Sequence, residues 1–335
     1  MKNILVVGPA WVGDMVMAQT LLTLLKEKQE CNIDVIAPDW SKALLERMPE
    51  VRKGLSLPIG HRELKLGERI KLGKALRPEN YDQAILCPNS IKSALVPFWA
   101  KIPIRTGWLG EYRYGLLNDI RKLDKKVYPL MVQRLMALAL PKQEILNNHE
   151  HIRPNLVVNA TEVEKAVKKF DLQPKEKSVL ALCPGAEFGP AKRWPDGYYA
   201  AVANEKLQQG WQVWLFGSPN DKEISSLINK AANNRCHDLT GKTSLAEVID
   251  LLSLADRVVS NDSGLMHISA ALNRKLVVIY GSSSPRFTPP LNDQKKVVQL
   301  DLKCSPCFQR QCKLGHLNCL NQLEPKLVLE AMEEL

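Results

Sequence analysis

Aromatic residues are scarce in this 335-residue chain, at 6%, and no stretch approaches the run of about 18 apolar residues that a bilayer-spanning helix requires. That lack predicts a soluble, cytosolic protein whose membrane contact, if it has any, is peripheral. Met1-Lys2-Asn3 precedes an apolar run that Pro9 interrupts and Asp14 ends, with no small-residue cleavage pattern, so the run reads as a first strand and not a signal peptide. The Gly-x-Gly-x-x-Gly dinucleotide fingerprint is missing, which argues against a nucleotide-sugar epimerase or another Rossmann oxidoreductase. Gly8-x4-Gly13 resembles a phosphate loop only in spacing. Asp14 stands where such a loop carries Lys, and its charge would repel phosphate. There is no short repeat and no low-complexity tract.

The chain has two domains' worth of residues, and 45% hydrophobic with 24% charged content supplies apolar material for two cores. A net charge of +10 favours anionic partners: nucleotide phosphates, nucleic acid or an anionic membrane surface. The basic residues are spread along the chain and form no tail, which argues against nucleic acid. Of eight cysteines, Cys31, Cys87, Cys183 and Cys236 are scattered. The others form Cys304-x2-Cys307-x4-Cys312-x6-Cys319 with His316 between. These have the ligand types for zinc but lack paired CxxC spacing, so metal ligation and reduced, packed thiols both stay open. A non-catalytic metal or redox module is the function that this cluster alone would support.

Strand and helix patterns alternate in both halves, which predicts two α/β domains built on parallel sheets. The first half has strands at 3–8, 32–37, near 54–58 and at 83–87, with helices over Met15–Lys28 and Gly67–Leu76. Residues 105–126 read as loop. Residues 141–177 are polar, with Pro141, Pro154 and Pro174, and mark the expected boundary, drawn between domains 1–160 and 161–335. The second half has strands at 178–183, 211–216, 257–260 and 275–280. Its helices are expected near 196–208, 221–232, 244–254 and 264–272, with a final helix over Pro325–Glu334 that could pack back on the first domain.

Polar clusters follow the strands. Asp14, after the first strand, is either a general base for a hydroxyl or a helix N-cap. Gly185 to Pro195 joins a strand to a helix, and Lys192 and Arg193 near the helix start can hold a diphosphate; the alternative is a solvated basic loop over Trp194. In Asn261-Asp262-Ser263-Gly264-x2-His267 the amides of Ser263 and Gly264 suit a phosphate, Asp262 suits loop orientation or a sugar hydroxyl, and His267 shares the helix face of Ser263. The alternative there is an Asp/Ser cap with a core histidine. Asp221 either contacts a ribose or is an acidic helix cap.

These strings together resemble the lipopolysaccharide core heptosyltransferases, most closely the heptosyltransferase II type. The resemblance is carried by Gly8-Pro-Ala-Trp-Val-Gly-Asp14-Met, Asn89-Ser-Ile-Lys-Ser-Ala-Leu, Arg105-Thr-Gly-Trp and Arg113-Tyr-Gly-Leu-Leu-Asn-Asp119. It continues through Pro184-Gly-Ala-Glu-Phe-Gly-Pro-Ala-Lys-Arg-Trp-Pro195, Asn261-Asp-Ser-Gly-Leu-Met-His267 and Cys304-Ser-Pro-Cys-Phe. It implies a GT-B fold, two Rossmann-like domains facing across a cleft, with the acceptor on the first and ADP-heptose on the second. It also implies an inverting transfer from ADP-heptose to the first heptose of the inner core, or to another core position. No cofactor or metal is implied, and no Asp-x-Asp metal motif of the other glycosyltransferase class is present.

The family's catalytic aspartate falls on Asp14 and its phosphate-binding lysine on Lys192. Its donor motif falls on Asp262, Ser263, Gly264 and His267, with Gly185, Glu187 and Asp221 as further donor contacts. Heptosyltransferase I relatives carry paired hydroxyl residues where this chain has Glu187 and Phe188, a departure in the phosphate loop. Lys92, Arg105 and Arg113 are expected to anchor the anionic lipopolysaccharide acceptor, at the cytoplasmic face of the inner membrane.

Overall fold

The computed structural model describes residues 1–60, 63–147, 152–174 and 176–335. The chain divides into two compact units, Met1–Leu156 and Val157–Leu335. In the first unit the elements run β1 (Lys2–Val7), α1 (Val12–Lys28), β2 (Cys31–Ala37), α2 (Lys42–Leu45), β3 (Val51–Ser56), α3 (Leu66–Ala75) and β4 (Gln83–Leu86). They continue with α4 (Leu95–Trp99), β5 (Ile104–Trp108), β6 (Asp119–Arg121) and α5 (Met131–Met136). The second unit runs α6 (Ala160–Lys169), β7 (Val179–Cys183), α7 (Asp196–Gln208), β8 (Gln212–Leu215), α8 (Lys222–Ala231), β9 (His237–Asp238) and α9 (Leu245–Leu252). It ends with β10 (Arg257–Asn261), α10 (Gly264–Ala271), β11 (Lys275–Ile279), β12 (Lys295–Val298), α11 (Asn318–Asn321) and α12 (Pro325–Glu333).

Each unit holds one six-stranded sheet, in the orders β3-β2-β1-β4-β5-β6 and β12-β11-β10-β7-β8-β9. Every strand pair in both is parallel. The central strands are continuous apolar runs because helices cover both faces: all five residues of β7 are buried, as are four of the six in β1. Read from the other edge, the second order repeats the first. In both sheets the chain turns from one flank to the other between the first and fourth strands, β1/β4 and β7/β10. Ligands of open α/β sheets bind beyond the carboxyl ends of the strands at such a crossing point.

The structure departs from the sequence reading in four places. Residues 105–126 contain β5 and β6, which gain their regularity from pairing with β4 and each other rather than from an apolar pattern of their own. The polar stretch 141–177 contains α6, capped by Asn159 through Thr161 N–H, which buries Val163 and Ala166 and packs on α9. The edge strands β9 and β12 had no sequence signal; they are two and four residues long. The terminal helix packs within the second unit, where Val328 and Met332 enter the core around Leu180, Trp194 and Tyr199.

Candidate active site

At the crossing point of the first sheet, Gly8 ends β1 under the helix that follows. A Cβ on Gly8 would lie 2.6 Å from the Met15 terminal methyl and 3.2 Å from Ala37, so any larger residue there must displace the Met15 side chain packed under α1. Trp11 caps α1 without a side-chain bond, and Asp14 lies in the first turn, three positions past the cap. Asp14 is therefore not the N-cap residue. It is half-buried. Across the crossing point, burial pushes the Cys87 thiol up to about 12, and the Asp14 carboxylate adds to that rise. The carboxylate is thus within electrostatic reach of Cys87, the residue after β4.

Of the two arginines assigned to the acceptor, Arg113 is buried and Arg105 is partly exposed. Arg113 is fully buried: Nη1 donates to Pro88 O at 2.8 Å and Ser93 Oγ at 3.0 Å, and Nη2 donates to Trp108 O at 2.6 Å. Its buried Nε has no partner among the described residues. Arg105 donates through Nε to Leu116 O at 2.6 Å and through Nη1 to Ile102 O, and stacks on Phe98. Burial lowers both guanidinium pKa values. Both side chains tie loops of the first unit together, which removes Arg113 as an acceptor contact and turns Arg105 toward its own backbone. Lys92 is half-buried on the turn 91–94, in the loop that Arg113 fastens, and its carbonyl accepts from Arg69 Nη1 at 3.2 Å.

In the second unit the loops after β7 and β10 meet at the crossing point, and Asn261 joins them. Its Nδ2 donates to Pro184 O at 2.7 Å, while its Oδ1 accepts from Trp194 N at 3.1 Å. This fully buried clamp brings Lys192 to Asp262, with Nζ 2.6 Å from Oδ2. Neither the clamp nor the ion pair was predicted, although Asn261 sits inside the motif. Ser263 is the N-cap of α10, its Oγ accepting from Met266 N at 3.4 Å, and Gly264 opens the helix. The hydroxyl therefore caps, while the remaining first-turn N–H groups have no intrahelical acceptor. His267 is buried, and burial drops its imidazole to about 4; nearby, Asp262 pulls it up and Lys192 pushes it down. It is a neutral core histidine beside the ion pair.

Gly185 approaches Asp221 so closely that a Cβ would lie 2.5 Å from the carboxylate. That carboxylate accepts from Ser218 N at 2.9 Å and Ser218 Oγ at 2.7 Å, and Arg193 lies 3.6 Å away. With 6% of its surface exposed, Asp221 braces the loops instead of presenting a face to a ribose. Glu187 is exposed at the tip of the same loop.

All eight cysteines are free thiols. Cys319 is buried, and burial together with the sulfurs of Cys304, Cys307 and Cys312 raises its pKa. Cys312 is lowered by backbone N–H groups, that of Leu317 foremost. Among the described residues no three His, Cys, Asp or Glu side chains are arranged to hold a metal ion, and no helix is long and apolar enough to cross a membrane.

The family model "Glycosyltransferase family 9 (heptosyltransferase)" matches residues 69–318. The chain is 46% identical to lipooligosaccharide heptosyltransferase 2 of Haemophilus influenzae, over 99% of both chains. The chain belongs to glycosyltransferase family 9, the heptosyltransferases. It is also 46% identical to lipopolysaccharide heptosyltransferase 2 of Escherichia coli K12, over 99% of this chain and 98% of that one. The solved structure of E. coli ADP-heptose LPS heptosyltransferase II superposes with a TM-score of 0.87 at 43% identity, over 100% of this chain and 98% of the other. The heptosyltransferase thus has the GT-B fold, its two Rossmann-like units corresponding to the two sheets above.

Proposed function

We propose that this heptosyltransferase moves heptose from ADP-L-glycero-D-manno-heptose onto the first heptose of the lipopolysaccharide inner core, with inversion at the anomeric carbon. The donor is held by the second unit and the acceptor by the first. One observation carries the donor assignment. The glycine loop and the α10 N-terminus converge at the crossing point, with the only partly covered Lys192 ammonium between them.

The chemistry follows from charge. The Asp14 carboxylate takes the proton of the acceptor hydroxyl as that oxygen bonds to the anomeric carbon. The bond from that carbon to the diphosphate oxygen breaks on the opposite face, and its electron pair leaves with ADP. Negative charge therefore grows on the diphosphate while the sugar becomes oxocarbenium-like. Lys192, the amides at Ser263 and Gly264 and the dipole of α10 stabilise that charge. Asp262 holds Lys192 in place, and neutral His267 adds no competing charge beneath. Such a cationic, amide-lined site does the work that a divalent metal does elsewhere. Lys92 and Arg105, both partly exposed, supply cationic groups of the first unit for an anionic acceptor. The basic surface of the chain suits peripheral work at the cytoplasmic face of the inner membrane, with no nucleic acid involved.

The deciding experiment supplies purified enzyme with ADP-heptose and inner-core acceptors carrying no heptose, one heptose or two. Transfer to the one-heptose acceptor alone, with opposite anomeric configuration in product and donor, supports the reading. Transfer to the bare or two-heptose acceptor assigns another core position, and retention of configuration rejects the mechanism.

A further inference from the structure

The proposed mechanism leaves one cation beside the donor loop without a task. The Phe188 ring carries two cations: Lys192 Nζ lies 4.9 Å from its centroid and Arg310 Cζ lies 5.3 Å from the same centroid. The two charges therefore stand within about 10 Å, one screening length at ordinary salt.

The backbone holds this arrangement in place. Gly189 has φ of +149°, and a Cβ there would fall 2.6 Å from the Arg310 carbonyl oxygen, so the position admits only glycine. That same oxygen accepts from Ala191 N at 3.1 Å. Ala191 O accepts from Ser282 N at 3.3 Å, and Ser282 O accepts from Phe308 N at 2.7 Å. Residues 308–310 of the cysteine-rich segment are thus stitched to the donor loop from two sides.

The charges around the loop are unevenly answered. Lys192 is paired with Asp262, and Arg193 faces Asp221. Arg310 is exposed, and among the described residues the Phe188 ring is its one side-chain partner. A guanidinium resting on a ring keeps its N–H edge available, and that edge matches phosphate oxygens in pairs.

We propose that Arg310 is a further donor-binding residue, a second cation that contacts the diphosphate, with Phe188 as the platform that sets it beside Lys192. The assignment rests on the reading above that the second unit holds the donor at Lys192. Phe188 then holds a guanidinium beside the lysine that the mechanism already uses.

Calorimetry on the full-length enzyme tests this, with ADP and AMP as the probes. Arg310→Ala should weaken ADP about tenfold and AMP far less, the size expected for one charge-assisted contact to the second phosphate. Arg310→Lys should fall between, and Phe188→Leu should weaken ADP in the same direction. Thermal melting of the two Arg310 variants should match the parent, because the Arg310 side chain is exposed. Unchanged ADP affinity in Arg310→Ala, alongside a loss in Lys192→Ala, would overturn the role of Arg310 while leaving the donor site intact. Unchanged affinity in both variants would overturn the donor-site reading and the Arg310 role with it.

Discussion

Lys192 and Asp262, 70 residues apart in sequence, form an ion pair of 2.6 Å in which the carboxylate is almost wholly buried and the ammonium keeps 16% of its side-chain surface exposed. One partner is thus anchored by the fold while the other keeps part of its side chain open to solvent. The pair links stability to chemistry, because removing the lysine also strands a buried carboxylate.

Lys192→Ala should therefore lower turnover by roughly 10²–10³-fold and stability by roughly 2–4 kcal/mol. The two effects separate in the double variant Lys192→Ala/Asp262→Asn. Neutralising the stranded carboxylate should recover much of the melting temperature and none of the turnover. Recovery of both would mean that Lys192 acts through folding alone.

His267 gives the fold a pH dependence whose sign is set by its depressed pKa. The neutral imidazole is the folded form, and the unfolded chain binds the proton more tightly, so stability is intact above the ordinary value of 6.5. It is lost as pH falls from 6.5 toward about 4. Between pH 7 and pH 5 the loss from this residue should be roughly 2 kcal/mol. His267→Gln should flatten that part of the pH–stability curve measured by chemical denaturation. An equally steep curve in the variant would place the acid sensitivity elsewhere.

Arg113 supports the loop after β4 from within. Arg113→Met keeps the volume but removes the charged donor from the Trp108 carbonyl, leaves Pro88 O only its bond from Ser93 Oγ, and should destabilise the first unit by roughly 2 kcal/mol. Arg113→Lys should rescue little, since one ammonium cannot reproduce the planar fork that reaches both sides of the loop. Differential scanning calorimetry should show the loss. Full stability in the Met variant would show that these contacts are dispensable.

Much of the architecture was legible because the central strands are buried on both faces: Val179–Cys183 and Lys275–Ile279 need no tertiary context to be read as strands. Asp196–Gln208 was likewise read to the residue. The edges were not legible, since β6, β9 and β12 are short and take their form from a neighbouring strand. The site divided along the same line. The positions of Asp14, Lys192 and Asp262 just after strands were legible, because a polar cluster at a strand end is a local pattern. Arg113 misled because an arginine among aromatics looks the same in sequence whether it faces solvent or backbone carbonyls. The Phe188–Arg310 stack spans 122 residues of sequence, so only the fold could reveal it.

Asp14 carries the largest expected effect on chemistry. It stands in the first turn of α1 without being its cap, so a carboxylate there adds a modest favourable interaction with the helix dipole. Asp14→Asn keeps the size and most of the hydrogen-bonding capacity, and should leave the melting temperature within about 2 °C, as loss of a few tenths of a kcal/mol implies. It cannot take a proton from the acceptor hydroxyl. Single-turnover transfer should therefore fall by roughly 10²–10⁴-fold while ADP affinity stays at the parent value, because the donor contacts proposed above lie in the other unit. Asp14→Glu tests placement as well as charge: the base is present but displaced by one methylene, and partial activity is expected. The Asn variant transferring at the parent rate would remove Asp14 from the mechanism. Loss of ADP affinity in that variant would instead assign Asp14 to donor binding. The predicted pattern, intact folding and intact nucleotide binding with transfer all but abolished, separates a role in transfer from a role in folding or in donor binding.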